Sequence, residues 1–208
     1  MTELIARYSL VGYSTVVTDE LLFPSSNFKR QLNLPSTGID DDTWLYDAIG
    51  SAREFCERNV NGGLAIRYQT RKLTLNKFPT DDEYIELLYP PLVSISEFQY
   101  YDGSNTSITY ASSDYRLFNP GNGQPAFIVP NVDETWSETR DRFDAVNITF
   151  FCGSTAVDNL PKTVVHAIKM LVAYWYENRS AVLVGSISKE LEFSLQRLLG
   201  SNEYGYYG

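Results

Sequence analysis

Leu160-Pro161-Lys162-Thr163-Val164-Val165-His166-Ala167-Ile168-Lys169-Met170-Leu171-Val172-Ala173-Tyr174-Trp175-Tyr176-Glu177-Asn178-Arg179 is the stretch on which the fold turns. Pro161 stands where a proline favours a helix, in the first turn, because the amide it lacks would have no partner there. No proline or glycine interrupts residues 162–179. Val165, Ile168, Val172 and Trp175 recur at steps of three and four, which draws one apolar stripe. Val164, Leu171 and Tyr174 widen the stripe, so this helix is expected to be buried on more than one side. Its end turns polar at Glu177-Asn178-Arg179. So apolar a helix needs other helices against it, and the sequence offers candidates on both sides.

Upstream, Leu45, Ile49, Ala52 and Cys56 follow one another at helical spacing after Asp40-Asp41-Asp42. The three acids read as a helix start, where carboxylates meet unpaired amides and the positive end of the dipole. A calcium loop would need alternating acids, a turn glycine and a later glutamate in register, which this stretch lacks. Asn59-Val60-Asn61-Gly62-Gly63 ends the helix. A shorter helix is expected over roughly 20–34, opened by Asp19 or Ser25 and closed by Pro35. Downstream, 180–186 reads as a linker hinged at Gly185. A last helix runs from about Ser188, with Leu191, Leu195, Leu198 and Leu199 on one face and Gly200 at its end. Ile49, Ala52, Val165, Ile168, Val172 and Leu195 are expected to meet in one helical core.

Between the helices the pattern changes. Alternating or β-branched runs occupy 65–75, 83–88, 95–101, 107–111, 115–118, 126–129 and 145–152, separated by turn signals rich in Gly, Pro, Asp and Asn. Tyr101-Asp102-Gly103-Ser104 is the clearest hairpin turn. Trp136-Ser137-Glu138-Thr139-Arg140-Asp141-Arg142 is polar around one tryptophan and reads as an exposed loop. The fold class is α+β: a small helical bundle with an inserted antiparallel β module. The expected layout is an N-terminal arm or edge strand over 1–20 and a helical core from 21–63 and 160–200. The β-rich module spans 64–153, and a tail spans 201–208.

At 208 residues the chain is long enough for one good core and a second small one. Apolar content of 43% and aromatic content of 14% place it among folded proteins. Fifteen tyrosines suit strands and interfaces, since a tyrosine offers large contact area at little entropic cost. A net charge of −9 makes the chain a poor candidate for gripping DNA, because such affinity comes mostly from Lys and Arg on phosphates. It is still compatible with surrounding DNA without holding it. Cys56 and Cys152 lie far apart with no metal-ligand spacing, and both read as buried thiols of a reducing compartment. With no leader-like start and no apolar run of eighteen residues, a soluble protein with no membrane association is expected.

The search for chemistry is negative. A catalytic histidine needs a nucleophile and an orienting acid. His166 has no such motif around it and reads as a core or boundary residue. Gly121-Asn122-Gly123 lacks the strand-to-helix context and the GK[ST] of a phosphate loop. Glu54 and Glu57 belong to the polar face of a helix, solvated or paired with Arg53 and Arg58. No enzyme, cofactor, metal or catalytic residue is expected.

Several stretches, in order, resemble the head–tail connector, or adaptor, family of tailed bacteriophages. Residues 21–34 resemble its first short helix. Asp41-Asp42 with Leu45, Ile49, Ala52-Arg53-Glu54 and Glu57 resembles its acid-capped "ARE..E" helix. Gly63-Leu64-Ala65, Gln69-Thr70 and Phe78-Pro79 resemble the following strand and "FP" turn. Tyr89-Pro90-Pro91-Leu92-Val93-Ser94-Ile95 resembles its "PPL.SV" link, Tyr100-Tyr101-Asp102-Gly103 its hairpin, and Val146-Asn147-Ile148-Thr149-Phe150 with Gly153 its last strand. Leu160-Pro161, Ala167-Ile168, Leu171-Val172-Ala173 and Tyr176-Glu177-Asn178-Arg179 resemble its long helix. The resemblance covers roughly 21–200; the arm before residue 20 and the Gly/Tyr tail depart from it.

The resemblance implies a structural protein of the virion neck, assembled in the host cytoplasm. It implies a ring with itself, expected to be a dodecamer, beneath the portal protein. That ring extends the DNA channel, which DNA traverses without specific binding, and docks the next neck or tail protein. Ring contacts are expected to exceed about 2,000 Å² in total, as in obligate assemblies. Leu198, Leu199, Tyr204, Tyr206 and Tyr207 are the expected portal-docking residues, the tail ordering as it docks. A different class stays open: a β-sheet carbohydrate- or receptor-binding module of a phage or bacterial particle, supported by the tyrosines and an exposed Trp136.

Overall fold

The computed structural model describes residues 3–35, 42–59, 63–80, 83–121, 124–179 and 189–200. The chain divides into two compact units. One comprises Met1–Ser14 with Tyr68–Gly153, the other Thr15–Arg67 with Ser154–Gly208. Its class is mixed α+β, with five α-helices and two antiparallel sheets among the described residues.

The helical unit holds α1 (Asp19–Leu22), α2 (Ser25–Gln31), α3 (Asp42–Asn59), α4 (Lys162–Glu177) and α5 (Lys189–Gly200). The single helix expected over 20–34 is two. Pro24 has no amide to continue α1, and the Ser25 amide and hydroxyl instead donate to Glu20 Oε1 at 3.0 Å each. Thr18 Oγ1 accepts the Leu21 amide at 3.2 Å and opens α1. Asp42 stands in the first turn of α3, while Asp40 and Asp41 lie outside the described residues. The buried face of α4 is Val164, Ala167, Ile168, Leu171 and Val172. It is centred about one position away from the expected stripe, so Val165 and Trp175 are only half-buried. His166 is exposed, which corrects its reading as a core or boundary residue. Residue 166 follows the buried 164 by two places, about 200° around the helix. Helix α4 packs on α3, and α5 packs on both. Ile49, Ala52, Ile168, Val172 and Leu195 are all buried.

The β unit holds β1 (Ala6–Tyr13), β2 (Gln69–Leu75), β3 (Ile85–Leu87), β4 (Leu92–Tyr101), β5 (Ser107–Thr109), β6 (Tyr115–Phe118), β7 (Ala126–Pro130) and β8 (Val146–Cys152). One sheet runs β1-β2-β8-β4-β5 and the other β3-β7-β6. Residues 1–20, expected as an arm or edge strand, divide between the units. β1 forms the edge of the larger sheet, pairing with β2 from Ala6↔Leu75 to Tyr13↔Gln69 with a shift of register between Leu10 and Gly12. Residues 64–67, expected to begin the β module, belong to the helical unit, where Leu64, Ala65 and Ile66 are buried. The β4–β5 hairpin falls where the sequence places it, but its turn is longer than Asp-Gly alone. Thr106 donates its amide to Asp102 Oδ1 at 2.8 Å, and the positive φ of 64° lies at Asn105. In β8 every second residue is buried, from Val146 to Cys152, which seats it in the middle of the sheet.

Candidate functional site

The helical unit carries a dry ion cluster. Arg53, on α3, is 2% exposed. Its Nε donates to Asp19 Oδ1 at 2.7 Å, its Nη1 to Glu57 Oε2 at 2.6 Å and its Nη2 to Glu54 Oε1 at 3.3 Å. Arg67 donates from Nη1 to Asp19 Oδ2 at 3.3 Å and from Nε to the Val17 carbonyl at 2.7 Å. Glu57 Oε1 accepts the amides of Ile66 at 2.8 Å and Arg67 at 3.3 Å. The planar guanidinium suits this forked geometry, and two buried carboxylates balance two guanidiniums. The cluster ties α1 and the segment entering β2 onto α3. Of the two readings of Glu57, solvated or paired, the pairing with Arg53 holds, but the pair is buried, Glu57 being 5% exposed. Every carboxylate oxygen of the Asp19–Glu57 pair has a partner, so the cluster holds structure and offers no base to a substrate.

Trp136 is 9% exposed, not the exposed loop residue the sequence suggested. Its ring stacks on Phe78 at 4.9 Å with 4° between planes, and its Nε1 donates to the Glu83 carbonyl at 2.9 Å. Phe98, Tyr100, Tyr110 and Tyr115 complete the cluster with ring separations of 5.0–6.3 Å. Burial pushes the Tyr110 and Tyr115 phenols up from their ordinary value. The face of Trp136 that a sugar would need is taken by Phe78, so this support for a carbohydrate module is lost.

Of the expected docking residues, Leu199 is 2% exposed and spends its side chain on the unit's own core, with Leu195 beside it. Leu198 is half-buried. Tyr204, Tyr206 and Tyr207 lie outside the described residues. The sequence reading passed over Phe193, 60% exposed on α5 with the Arg197 guanidinium 5.5 Å from its ring. Its signal was there: Phe193 follows Leu191 by two places and so sits opposite the leucine stripe. Trp44 and Tyr176 meet edge-on at 5.6 Å, with Arg179 over both rings at 4.7 and 3.9 Å.

Cys56 and Cys152 are buried free thiols. Burial, with the neighbouring Glu57 carboxylate, pushes the Cys56 thiol up to about 12. Among the described residues no cluster of His, Cys, Asp and Glu is placed to hold a metal ion, and no helix is long and apolar enough to cross a membrane.

The class these features define is an α+β chain whose buried polar chemistry is spent on holding itself together and whose unspent features lie on sheet edges and helix faces. No family model matches the chain, and no curated protein matches it in sequence. Solved structures do match its fold. A chain of the neck of an empty gene transfer agent particle, computed with C6 symmetry, superposes with a TM-score of 0.70 at 19% identity, covering 97% of both chains. A chain of the virion of a native gene transfer agent particle gives 0.69 at 17% identity over 97% of both. One from the neck of the native particle, computed with C12 symmetry, gives 0.66 at 16% identity over 97% of this chain and 98% of that one.

Proposed function

We propose that this chain is a structural neck component of a phage-like particle, and within it the head–tail adaptor. It forms a ring below the portal, extends the DNA channel and docks the next neck or tail protein. The observation that carries this reading is the full-length fold likeness to chains of gene transfer agent particles, two of them from necks, over 97% of both chains for the first match. The ordered motif resemblance to phage adaptors was read from residues alone and points the same way. Rotational symmetry in those necks suits a ring of identical subunits, six or twelve, with twelve expected here. The reading calls for no catalysis and no cofactor.

A net charge of −9 fits a channel wall that repels phosphates and lets DNA slide. Leu198 and the tail tyrosines Tyr204, Tyr206 and Tyr207 are the residues assigned to portal docking; buried Leu199 supports them from within the core. The experiment is removal of the gene from the producing genome, followed by electron microscopy of the particles. Full heads that never acquire tails, restored by the gene supplied in trans, are expected. Normal tailed particles assembled without this chain overturn the reading.

A further inference from the structure

The two sheets of the β unit stand edge to edge in pairs. At one side β1 lies by β3: the Tyr8 hydroxyl donates to the Glu86 carbonyl, and the Tyr8 ring meets Tyr89 at 5.8 Å. At the other side β5 lies by β6: Tyr110, next after β5, meets Tyr115 of β6 at 6.3 Å. Among the described residues β1 pairs with β2 alone and β6 with β7 alone, so the other edge of each carries no strand ladder. Open edges invite another strand unless charge, proline or a bulge blunts them.

Both open sides are apolar. Ile5, Leu10 and Val11 are exposed along β1, Val11 by 60%; Leu117, Phe118 and Val132 are exposed at the β6 side, Phe118 by 52%. β7, Ala-Phe-Ile-Val-Pro, is apolar at every position, the pattern of a strand covered on both faces. Charge differs between the two sides. β1 and β2 carry Arg7, Arg71 and Lys72, against Glu3 just before β1 and Glu86 on the adjoining β3, which leaves this side basic on balance. Beside β6 lie Asp114, Asp133 and Glu134, all exposed, against the single base Arg116. The turn bearing Asp133 is held there by Asn131 Nδ2, which donates to the Ser113 carbonyl at 2.5 Å.

We infer that the β1 side of one copy of this chain meets the β6 side of the next, so that neighbours in the proposed ring join through the two opposite edges of their β units. The occupant is a second copy because the two patches complement each other in charge and sit on opposite sides of one unit. Like sides would set acid against acid, which costs a chain of net charge −9, whereas a head-to-tail contact sets base against acid and closes under rotation. The inference rests on the neck reading.

The test uses particles carrying Val11→Cys and Phe118→Cys together, treated with a short bis-maleimide. The native Cys56 and Cys152 are buried and stay out of the reaction. A ladder of linked chains from the double variant, at least tenfold above either single variant, is expected. Separately, Val11→Glu and Phe118→Glu should each keep the wild-type thermal midpoint and lose at least tenfold in incorporation. Crosslinking no better than the single variants, with both glutamate variants incorporated normally, overturns this contact while the neck reading stands. A wild-type chain absent from purified particles overturns both.

Discussion

Arg53 shows how much a single residue can carry when its partners come from three places in the sequence. Asp19 lies 34 positions before it and Glu57 one helical turn after it. Replacing Arg53 by Met removes the guanidinium that Glu57 pairs with and leaves Asp19 only the longer contact to Arg67, in a site the carboxylates cannot leave without unfolding it. The expected cost is about 3–5 kcal/mol in urea denaturation, the range for breaking a buried pair from one side. Adding Asp19→Asn and Glu57→Gln should recover part of that loss; a triple variant as unstable as Arg53→Met would mean that shape, not charge, sets the cost. Cys56 makes the second residue-scale prediction. Its folded-state value is raised from 9.0 to about 12, so its contribution is fully present below pH 9 and is lost as pH rises through 12. Over that window the unfolded thiol ionises while the native one stays protonated, so stability falls by about 1.4 kcal/mol per pH unit from this group. Cys56→Ala should remove that component of the slope, and the native thiol should resist a disulfide reagent at pH 8. The burial of Cys56 was legible in its place on the apolar stripe of α3; the role of Arg53 was not. Arg53 and Glu57 stand four apart on a helix and look like a solvated pair, and only the return of Asp19 and the 66–67 amides buries them.

Among the elements, α4 and β8 were the most legible, because each is long and keeps one period throughout. The bounds of β6 also agree with the sequence reading. The elements that misled are those whose fate is set at a distance. Trp136 sits among Ser, Glu, Thr, Arg and Asp, which is a polar loop by composition; it is buried because Phe78, remote in sequence, offers it a ring. β1 lies within the 1–20 stretch expected as an arm or edge strand, and it is the edge strand because β2 presents a full ladder to it. For α4 the period was legible but its phase was not, since Val164 and Val165 are equally apolar and only the neighbours choose between them. That gives a sharp comparison. Ile168 is buried in either phase, and Ile168→Ala should cost about 2–5 kcal/mol. Val164→Ala should cost more than Val165→Ala, by at least about 1 kcal/mol, because only Val164 is fully enclosed. Equal losses at 164 and 165 in chemical denaturation would contradict the observed phase.

At the scale of the whole molecule, a chain that works in the proposed ring must divide its apolar residues between core and contact. α5 makes the division visible. Leu195 and Leu199 face inward and are buried, while Phe193 faces out. Beyond Gly200 the sequence Ser201-Asn202-Glu203-Tyr204-Gly205-Tyr206-Tyr207-Gly208 holds three tyrosines among glycines and no aliphatic residue. Such a sequence is expected to contribute little to a core, because glycine raises the entropy lost on ordering and the sequence offers no apolar stripe. The tyrosines are effective contact residues once a partner buries them, with two soft torsions each to give up. Repetition around a ring multiplies a weak peptide contact into a strong one, provided each copy reaches its own site. Deleting residues 201–208 should therefore leave the thermal midpoint of the isolated chain within about 2 °C of wild type, since Leu195 and Leu199 are retained. Portal binding, followed by co-sedimentation with the portal ring, should fall by at least tenfold. Tyr204→Ser, Tyr206→Ser and Tyr207→Ser combined should reproduce most of that loss without shortening the chain. A truncated protein that still sediments with the portal at full affinity would move the docking role elsewhere, and exposed Phe193 would then be the residue to replace next.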